Sequence, residues 1–208
     1  MNILVTGGAG FIGATLVRAL LERGERVVVF DDFNDFYDPL LKRESVAPFL
    51  SNPGFKLYEI DIRNRAGLTE AIRKEDPDAV CHLAARAGVR PSIEDPLLYE
   101  EVNCAGTLNI LEAVKQAGLK NFVFASSSSV YGINSKVPFS EEDPITCPIS
   151  PYASTKRAGE LMCFTYSHLY SIPVTCHRFF TVYGERGRPD MAVARFTRLI
   201  WEDKAIQV

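Results

Sequence analysis

The stretch TGGAGFIG, residues 6–13, constrains this chain more tightly than any other. It follows the apolar run NILVT and precedes an amphipathic pattern over Phe11–Arg23, so it reads as a turn from a strand into a helix. Its glycines fit two spacings, Gly8-x-Gly10-x-x-Gly13 and Gly7-x-x-Gly10-x-x-Gly13. Such a turn needs glycine for a tight reversal, for approach of backbone to a ligand, and for close packing of helix on strand. A helix starting at Phe11 points free N–H groups and the positive end of its dipole at an anion. On its own a glycine-rich turn has a plainer explanation, as chain punctuation. The context argues for a dinucleotide: RVVVF follows as a second strand and closes on Asp31, 18 residues past Gly13.

A carboxylate at that point accepts from the ribose hydroxyls of adenosine and repels a 2′-phosphate. No arginine follows it directly, so the expected cofactor is NAD rather than NADP. Of Asp31 and Asp32, one is expected to cap the loop; Asp31, nearer the strand, is assigned to the ribose, and both are kept as cofactor candidates. Asp61, in YEIDIR, ends a strand on the same edge and is a candidate for the adenine amine, with a turn-capping role as its alternative.

The rest of the chain repeats the alternation. NILVT, RVVVF, FKLYEI, DAVCHLA, NFVFAS and IPVTCHR read as strands. Amphipathic stretches at Phe11–Arg23, Arg65–Lys74, Pro96–Ala117 and Tyr152–Tyr170 read as helices, punctuated by Gly24, Gly118 and Pro173. Continuously apolar strands alternating with helices predict an α/β fold: a Rossmann-type doubly wound parallel sheet with helices on both faces. Irregular stretches are expected at Asp31–Leu40, Arg86–Asp95 and Gly132–Pro151, where such folds carry their ligands. AIQV, at the end, reads as a strand just starting.

Charge and cysteines narrow the class. A formal charge of −3 over 208 residues gives no electrostatic footprint for nucleic acid, and no basic run marks a membrane surface. The N-terminus is already a strand, so neither a signal peptide nor a membrane span is expected. Cys81, Cys104, Cys147, Cys163 and Cys176 are scattered, with no CxxC pair or histidine cluster, which argues against metal or a disulfide framework. A reduced, cytoplasmic location is expected. His82, His168 and His177 fall in or beside apolar segments and are expected to be core or edge residues rather than bases.

SPYASTKRAGE places Tyr152 and Lys156 four apart, on one face at the start of a helix. A free tyrosine has a pKa of about 10 and is a poor base at neutral pH. A neighbouring ammonium and a positively charged nicotinamide ring stabilise its phenolate. Tyr-x-x-x-Lys pairs occur by chance on many helices; this one gains meaning from the glycine turn upstream.

Together, TGGAGFIG, HLAARAGVRPS, SSSSVYG, SPYASTK and RFFTVYGERGRPDM resemble the extended short-chain dehydrogenase/reductase superfamily, and within it the NAD-dependent nucleotide-sugar epimerases. The resemblance covers essentially the whole chain. GRPDM after FFTVYG resembles the branch that acts on UDP-glucuronate rather than UDP-glucose.

The resemblance implies an NAD-dependent 4-epimerase of a UDP-sugar, working through transient oxidation at C4, with Tyr152 as base, Lys156 tuning it and Ser127 holding the 4-oxygen. It implies further cofactor contacts from Gly7, Gly10, Phe11, Ile12, Gly13, Ile62, Leu83, Ala84, Ala85 and Asn103, and from Tyr152 and Lys156 themselves, the lysine also bonding the nicotinamide ribose. Ser126 would end a strand, and Ser128 and Ser129 would turn toward the sugar or cap the next turn. Related dehydratases and decarboxylases carry acids where this chain has serines, so oxidation and reduction are expected without elimination. Thr181 and Arg188 would clamp the substrate carboxylate; the alternative for Arg188 is a surface pair with Glu185 or Asp190. An NAD-binding domain over residues 1–178 is expected, followed at 179–208 by the beginning of a substrate-binding region whose remainder the family carries further on. A homodimer through the helices at Pro96–Ala117 and Tyr152–Tyr170 is also implied. The alternatives are another nucleotide-sugar epimerase or reductase of the superfamily, or an NAD-binding protein without activity.

Overall fold

The computed structural model describes residues 1–119 and 121–206. Among these residues six strands form one parallel sheet: β1 (Asn2–Thr6), β2 (Arg26–Asp31), β3 (Phe55–Glu59), β4 (Ala79–His82), β5 (Phe122–Ser127) and β6 (Val174–Phe179). Their order is β3-β2-β1-β4-β5-β6. The α/β, doubly wound expectation holds, and each strand lies within two residues of its expected limits.

The strands are apolar throughout because both faces of the sheet are covered. Leu4, Val28, Phe30, Val80, Phe122 and Phe124 pack on one side, with residues of α3 (Arg65–Glu75), α6 (Thr107–Ala117) and α7 (Pro151–Tyr170). Ile3, Val5, Val27 and Val29, the alternate positions, pack on the other side with α1 (Phe11–Glu22) and the α2 region (Pro39–Val46). This is the period of two expected of pleated strands, read on two buried faces. The strand order reverses between β1 and β4, which opens a crevice at the carboxyl ends of the strands.

Three stretches differ from the sequence expectation. The single helix over Pro96–Ala117 is α5 (Pro96–Tyr99), a π-helical segment over Glu100–Gly106, and then α6. Asn103 in the π segment turns its amide onto the Arg86 backbone and Thr155, and a widened turn accommodates that inward polar side chain. The irregular stretch after β2 ends in α2, capped by Asp38, whose side chain accepts from Leu40 N at 2.9 Å, with Pro39 in the first turn. Arg86–Asp95 includes the short helix α4 (Val89–Glu94). The chain continues through an irregular segment into α8 (Ala192–Trp201), which has no buried residue. The strand expected at AIQV falls partly on Gln207 and Val208, outside the described residues; Ala205 and Ile206 are irregular.

Among the described residues no helix is long and apolar enough to cross a membrane, and no cluster of three or more His, Cys, Asp or Glu is placed to hold a metal ion.

Candidate active site

The crevice holds a cavity of about 510 Å³. Its floor is the glycine turn. Gly7 has φ +69, and a Cβ there would fall 2.7 Å from the Ala84 backbone nitrogen. A Cβ on Gly13 would fall 2.1 Å from the Gly7 carbonyl oxygen. Glycine is therefore enforced twice, once by conformation and once by the closeness of α1 to the turn. α1 begins with no side-chain cap, which leaves its first N–H groups without a side-chain acceptor, and Phe11, Ile12 and Gly13 line the cavity.

Asp31 is buried beside this turn. Its Oδ2 accepts from Ala9 N and its Oδ1 from Phe33 N, both at 3.0 Å. Burial pushes its carboxyl above the usual range, against these two bonds and the nearby Lys42 ammonium. Asp32 accepts from Asn34 N at 3.1 Å and from its amide at 2.6 Å. Both aspartates thus shape the loop, and both also line the cavity. Ile62, Leu83, Ala84 and Ala85 complete its apolar wall. A tight glycine turn, an uncapped helix start, a buried acid and apolar walls fit a dinucleotide.

Asp61 and Asn103 do not join this lining. Burial pushes Asp61 up, but the Arg63 side chain and N–H outweigh it and hold the carboxyl low, turned into its own turn. The turn-capping alternative is the one its contacts match. Asn103 has its oxygen on Arg86 N at 2.8 Å and its nitrogen on Arg86 O at 2.9 Å and Thr155 Oγ1 at 3.0 Å. Its amide is spent on protein partners, so the cofactor contact expected of it has no support in the geometry.

At the far end of the cavity stand Ser127, Ser128, Ser129, Tyr152 and Lys156. α7 begins at Pro151 behind Ser150, whose Oγ accepts from Ala153 N at 3.1 Å. That cap sets Tyr152 in the first turn and Lys156 one turn later. Burial raises the Tyr152 phenol above its ordinary value; the Ser127 hydroxyl and the positive charge of Arg188 oppose this. The Tyr99 ring meets the Tyr152 ring edge-on, with centroids 6.2 Å apart. Lys156 is buried, and burial lowers its ammonium to about 8. Its Nζ donates to Ala125 O at 2.7 Å and lies over the Phe124 ring. The expected tuning of Tyr152 by Lys156 is not expressed in these contacts, because a buried ammonium takes the nearest carbonyl acceptor.

The four serines divide the work. Ser126 turns into the protein and donates to Glu160 at 2.6 Å. Ser127 accepts from Ser129 N at 3.2 Å, so the cap of the following turn is Ser127 rather than Ser128 or Ser129.

Thr181 and Arg188 also line the cavity. Arg188 makes the surface-loop pair weighed from the sequence: it donates to Asp190 at 3.0 and 2.6 Å, and its guanidinium lies 5.0 Å from the centre of the Phe36 ring. A second hollow of about 390 Å³ adjoins it, lined in part by Thr181, Arg186, Arg188 and Arg198.

His82 is a core residue. It is held between Thr6 and Thr107 at 2.7 and 3.0 Å, and burial pushes it down to about 3. Neither His168 nor His177 reaches the cavity. Sequence reasoning missed Phe36, Tyr37 and Lys42, which also line the cavity. Lys42 Nζ donates to Asn34 O at 2.8 Å, next to Asp31 and Asp32. The capping signal of Asp38-Pro39 ahead of it was legible.

The sequence matches the family described as "NAD dependent epimerase/dehydratase family" over residues 3–208. A UDP-glucuronate 4-epimerase of Thermodesulfobacterium geofontis is 46% identical over 205 residues, 99% of this chain and 63% of the relative. The solved UDP-glucuronic acid 4-epimerase from Bacillus cereus, in complex with UDP-glucuronic acid and NAD, is 40% identical with a TM-score of 0.89, covering 98% of this chain and 64% of that one. The UDP-glucose 4-epimerase of Thermus thermophilus, in complex with NAD, is 37% identical with a TM-score of 0.87, over 99% of this chain and 64% of that one. The chain thus spans less than two thirds of the length of these proteins.

Proposed function

From the premise that this chain belongs to the NAD dependent epimerase/dehydratase family, we propose that it binds NAD in the crevice and serves the 4-epimerisation of a UDP-sugar, UDP-glucuronate to UDP-galacturonate. The observation that carries this reading is convergence: one cavity joins the glycine turn and Asp31 to Ser127, Tyr152 and Lys156. Bound there, NAD supplies a reversible hydride acceptor for C4 of the sugar. Tyr152 Oη takes the proton of the 4-hydroxyl as the alcohol becomes a ketone, and returns it when the alcohol re-forms. Ser127 Oγ orients the 4-oxygen. Burial works against the Tyr152 phenolate, so positive charge has to favour it: Arg188 already acts in that sense, and Lys156, one turn along α7, becomes the second cation when its ammonium turns from Ala125 O toward the phenol. Ser126–Ser129 include no carboxylate to serve as the extra acid–base pair that loss of water requires.

The sugar is chosen at Thr181 and Arg188. A glucuronate differs from glucose by a carboxylate, which a guanidinium fork and a hydroxyl hold well. Similarity to proteins described for UDP-glucuronate supports that choice, and similarity to one described for UDP-glucose keeps it open to test. The arginines of the adjoining hollow suit a diphosphate. On the same reading residues 1–178 form the cofactor domain, and the region from 179 begins the substrate-binding part. A cytoplasmic homodimer is the form proposed, with α6 and α7 at its interface; Leu108, Leu161, Phe164 and Leu169 leave their outer faces apolar and exposed.

The test is turnover of UDP-glucuronate and UDP-glucose, measured for this chain alone and for the chain joined to a C-terminal segment of the length its relatives carry. Conversion of UDP-glucuronate to UDP-galacturonate, faster than that of UDP-glucose, is expected. Binding of NAD without conversion of either sugar would sink the epimerase reading.

A further inference from the structure

Tyr152, Lys156 and Glu160 lie at intervals of four along α7, which places them on one stripe of the helix. Each meets the carboxyl end of β5 or its neighbour in turn. Tyr152 stands by Ser127, Lys156 donates to Ala125 O at 2.7 Å, and Glu160 Oε1 accepts from Ser126 Oγ at 2.6 Å. The third member has no place in the proposed proton transfer. Yet Glu160, the single acid of the helix, is buried, 6% exposed.

Its partners come from three elements. Arg178 on β6 donates Nε to Oε1 at 3.0 Å and Nη2 to Oε2 at 3.2 Å. Arg157 reaches Oε2 from α7 itself at 3.3 Å. Ser126 supplies the bond from β5, and β6 pairs with β5 in the register that sets Arg178 beside Ser126. Arg178 continues outward to Tyr131 Oη at 3.3 Å and Glu141 O at 3.1 Å, in the segment that follows the serine run. One carboxylate therefore ties α7 to two adjacent strands and, through Arg178, to the loop beyond Ser127. A buried ion pair is weak evidence for stability, because desolvation offsets its attraction, but its several directional bonds constrain the elements they join.

We propose that Glu160 is a positioning residue: by locking Ser126 and Arg178 to the Tyr152–Lys156 helix, it sets the height of α7 against β5 and so holds Tyr152 opposite Ser127. The proposal rests on the epimerase reading for the role of Tyr152, but its geometry does not. A slip of α7 would separate the phenol from the Ser127 hydroxyl, one of the groups that oppose the effect of burial on Tyr152.

The test uses Ser126→Ala, Glu160→Ala and Glu160→Gln. The glutamine keeps an oxygen for Ser126, whereas Ser126→Ala leaves the Glu160–Arg178 pair intact and so guards against a variant that simply fails to fold. Tyrosinate absorbance is titrated against pH in the 208-residue chain, with and without NAD, and the trace of Tyr152→Phe is subtracted. Ser126→Ala and Glu160→Ala are expected to raise the Tyr152 midpoint by about half a pH unit or more, with Glu160→Gln closer to the parent. In the chain carried at its relatives' length, Ser126→Ala is expected to lower kcat about tenfold with KM within about twofold, as misplacement of a reacting group does. A Tyr152 midpoint and kcat that stay at the parental values in folded variants, with only the thermal midpoint lowered, overturn the proposal and leave Glu160 a structural ion pair. If the parent turns over no UDP-sugar, the epimerase reading fails, and the titration still decides the role of Glu160.

Discussion

Replacing Lys156 by methionine separates what the ammonium does for the cofactor from what it does to the fold. Lys156 is buried, and burial brings its ammonium from the ordinary 10.5 to about 8. In the unfolded chain it keeps the ordinary value. Between these two pH values the unfolded state therefore binds more protons than the native one, and native stability rises with pH across that window. The gap corresponds to about 3 kcal/mol at about 1.4 kcal/mol per pH unit. Below about pH 8 both states carry the proton, and the fold bears the full penalty of burying it. Lys156→Met removes the penalty and with it the bond to Ala125 O, itself worth about 1.5–3 kcal/mol as a charged hydrogen bond. Near neutral pH the two largely offset, so the variant is expected within about 1–2 kcal/mol of the parent in stability, while NAD binding weakens. The sharper signature is the difference in pH profile, because other groups titrate alike in both proteins. Urea unfolding at a series of pH values should show the parent gaining about 3 kcal/mol relative to Lys156→Met between about pH 8 and 10.5. Parallel profiles would mean that the ammonium is solvated in the native state, and the account of this end of the cavity would be wrong.

Three other expectations follow from the same geometry. NAD should bind more tightly than NADP, and Asp31→Asn, which keeps one of the two acceptors that Asp31 gives the turn, should narrow the preference; equal affinities in the parent, measured by calorimetry, would show that the Lys42 charge outweighs Asp31. Tyr152→Phe in the chain at its relatives' length should leave NAD bound and lower turnover about 10²-fold or more; a near-normal rate would place the base elsewhere. Arg188→Ala should raise the barrier for UDP-glucuronate by up to about 1.5–3 kcal/mol and barely change that for UDP-glucose. The Asp190 pair already present favours the low end of that range, and equal losses on both sugars would make Arg188 structural.

What could be read from the sequence was what local spacing controls. The turn TGGAGFIG, Asp31 at the end of β2 and the Tyr152–Lys156 interval each depend on a few consecutive residues, and the structure places all of them along one cavity. Asp61 and Asn103 are suitable residue types near the right edge, but type does not give direction. Asp61 folds back on Arg63, and Asn103 is taken up by a backbone 17 residues away. Phe36 and Tyr37 reach the cavity from the loop after β2, and Lys42 from the helix α2 that ends it; such a path depends on tertiary contacts that no periodicity records. Glu160 shows both sides of this. Its place on the stripe is visible in SPYASTKRAGE, but its partners on β5 and β6 are known only once the strands are paired. The π segment at Glu100–Gly106 escaped for a related reason: it re-phases an otherwise regular helical pattern around one inward amide.

The central claim is that one site takes a hydrogen from C4 of a UDP-sugar and returns it to the opposite face. The most direct measurement follows UDP-glucuronate carrying deuterium at C4, converted in ordinary water by the chain at its relatives' length with NAD present, with the product examined by nuclear magnetic resonance. The account predicts UDP-galacturonate that keeps its deuterium at C4, because Tyr152 exchanges only the hydroxyl proton. Product that has lost the deuterium to solvent would mean that a protein base removes the carbon-bound hydrogen, and would contradict the assignment of Ser127, Tyr152 and Lys156.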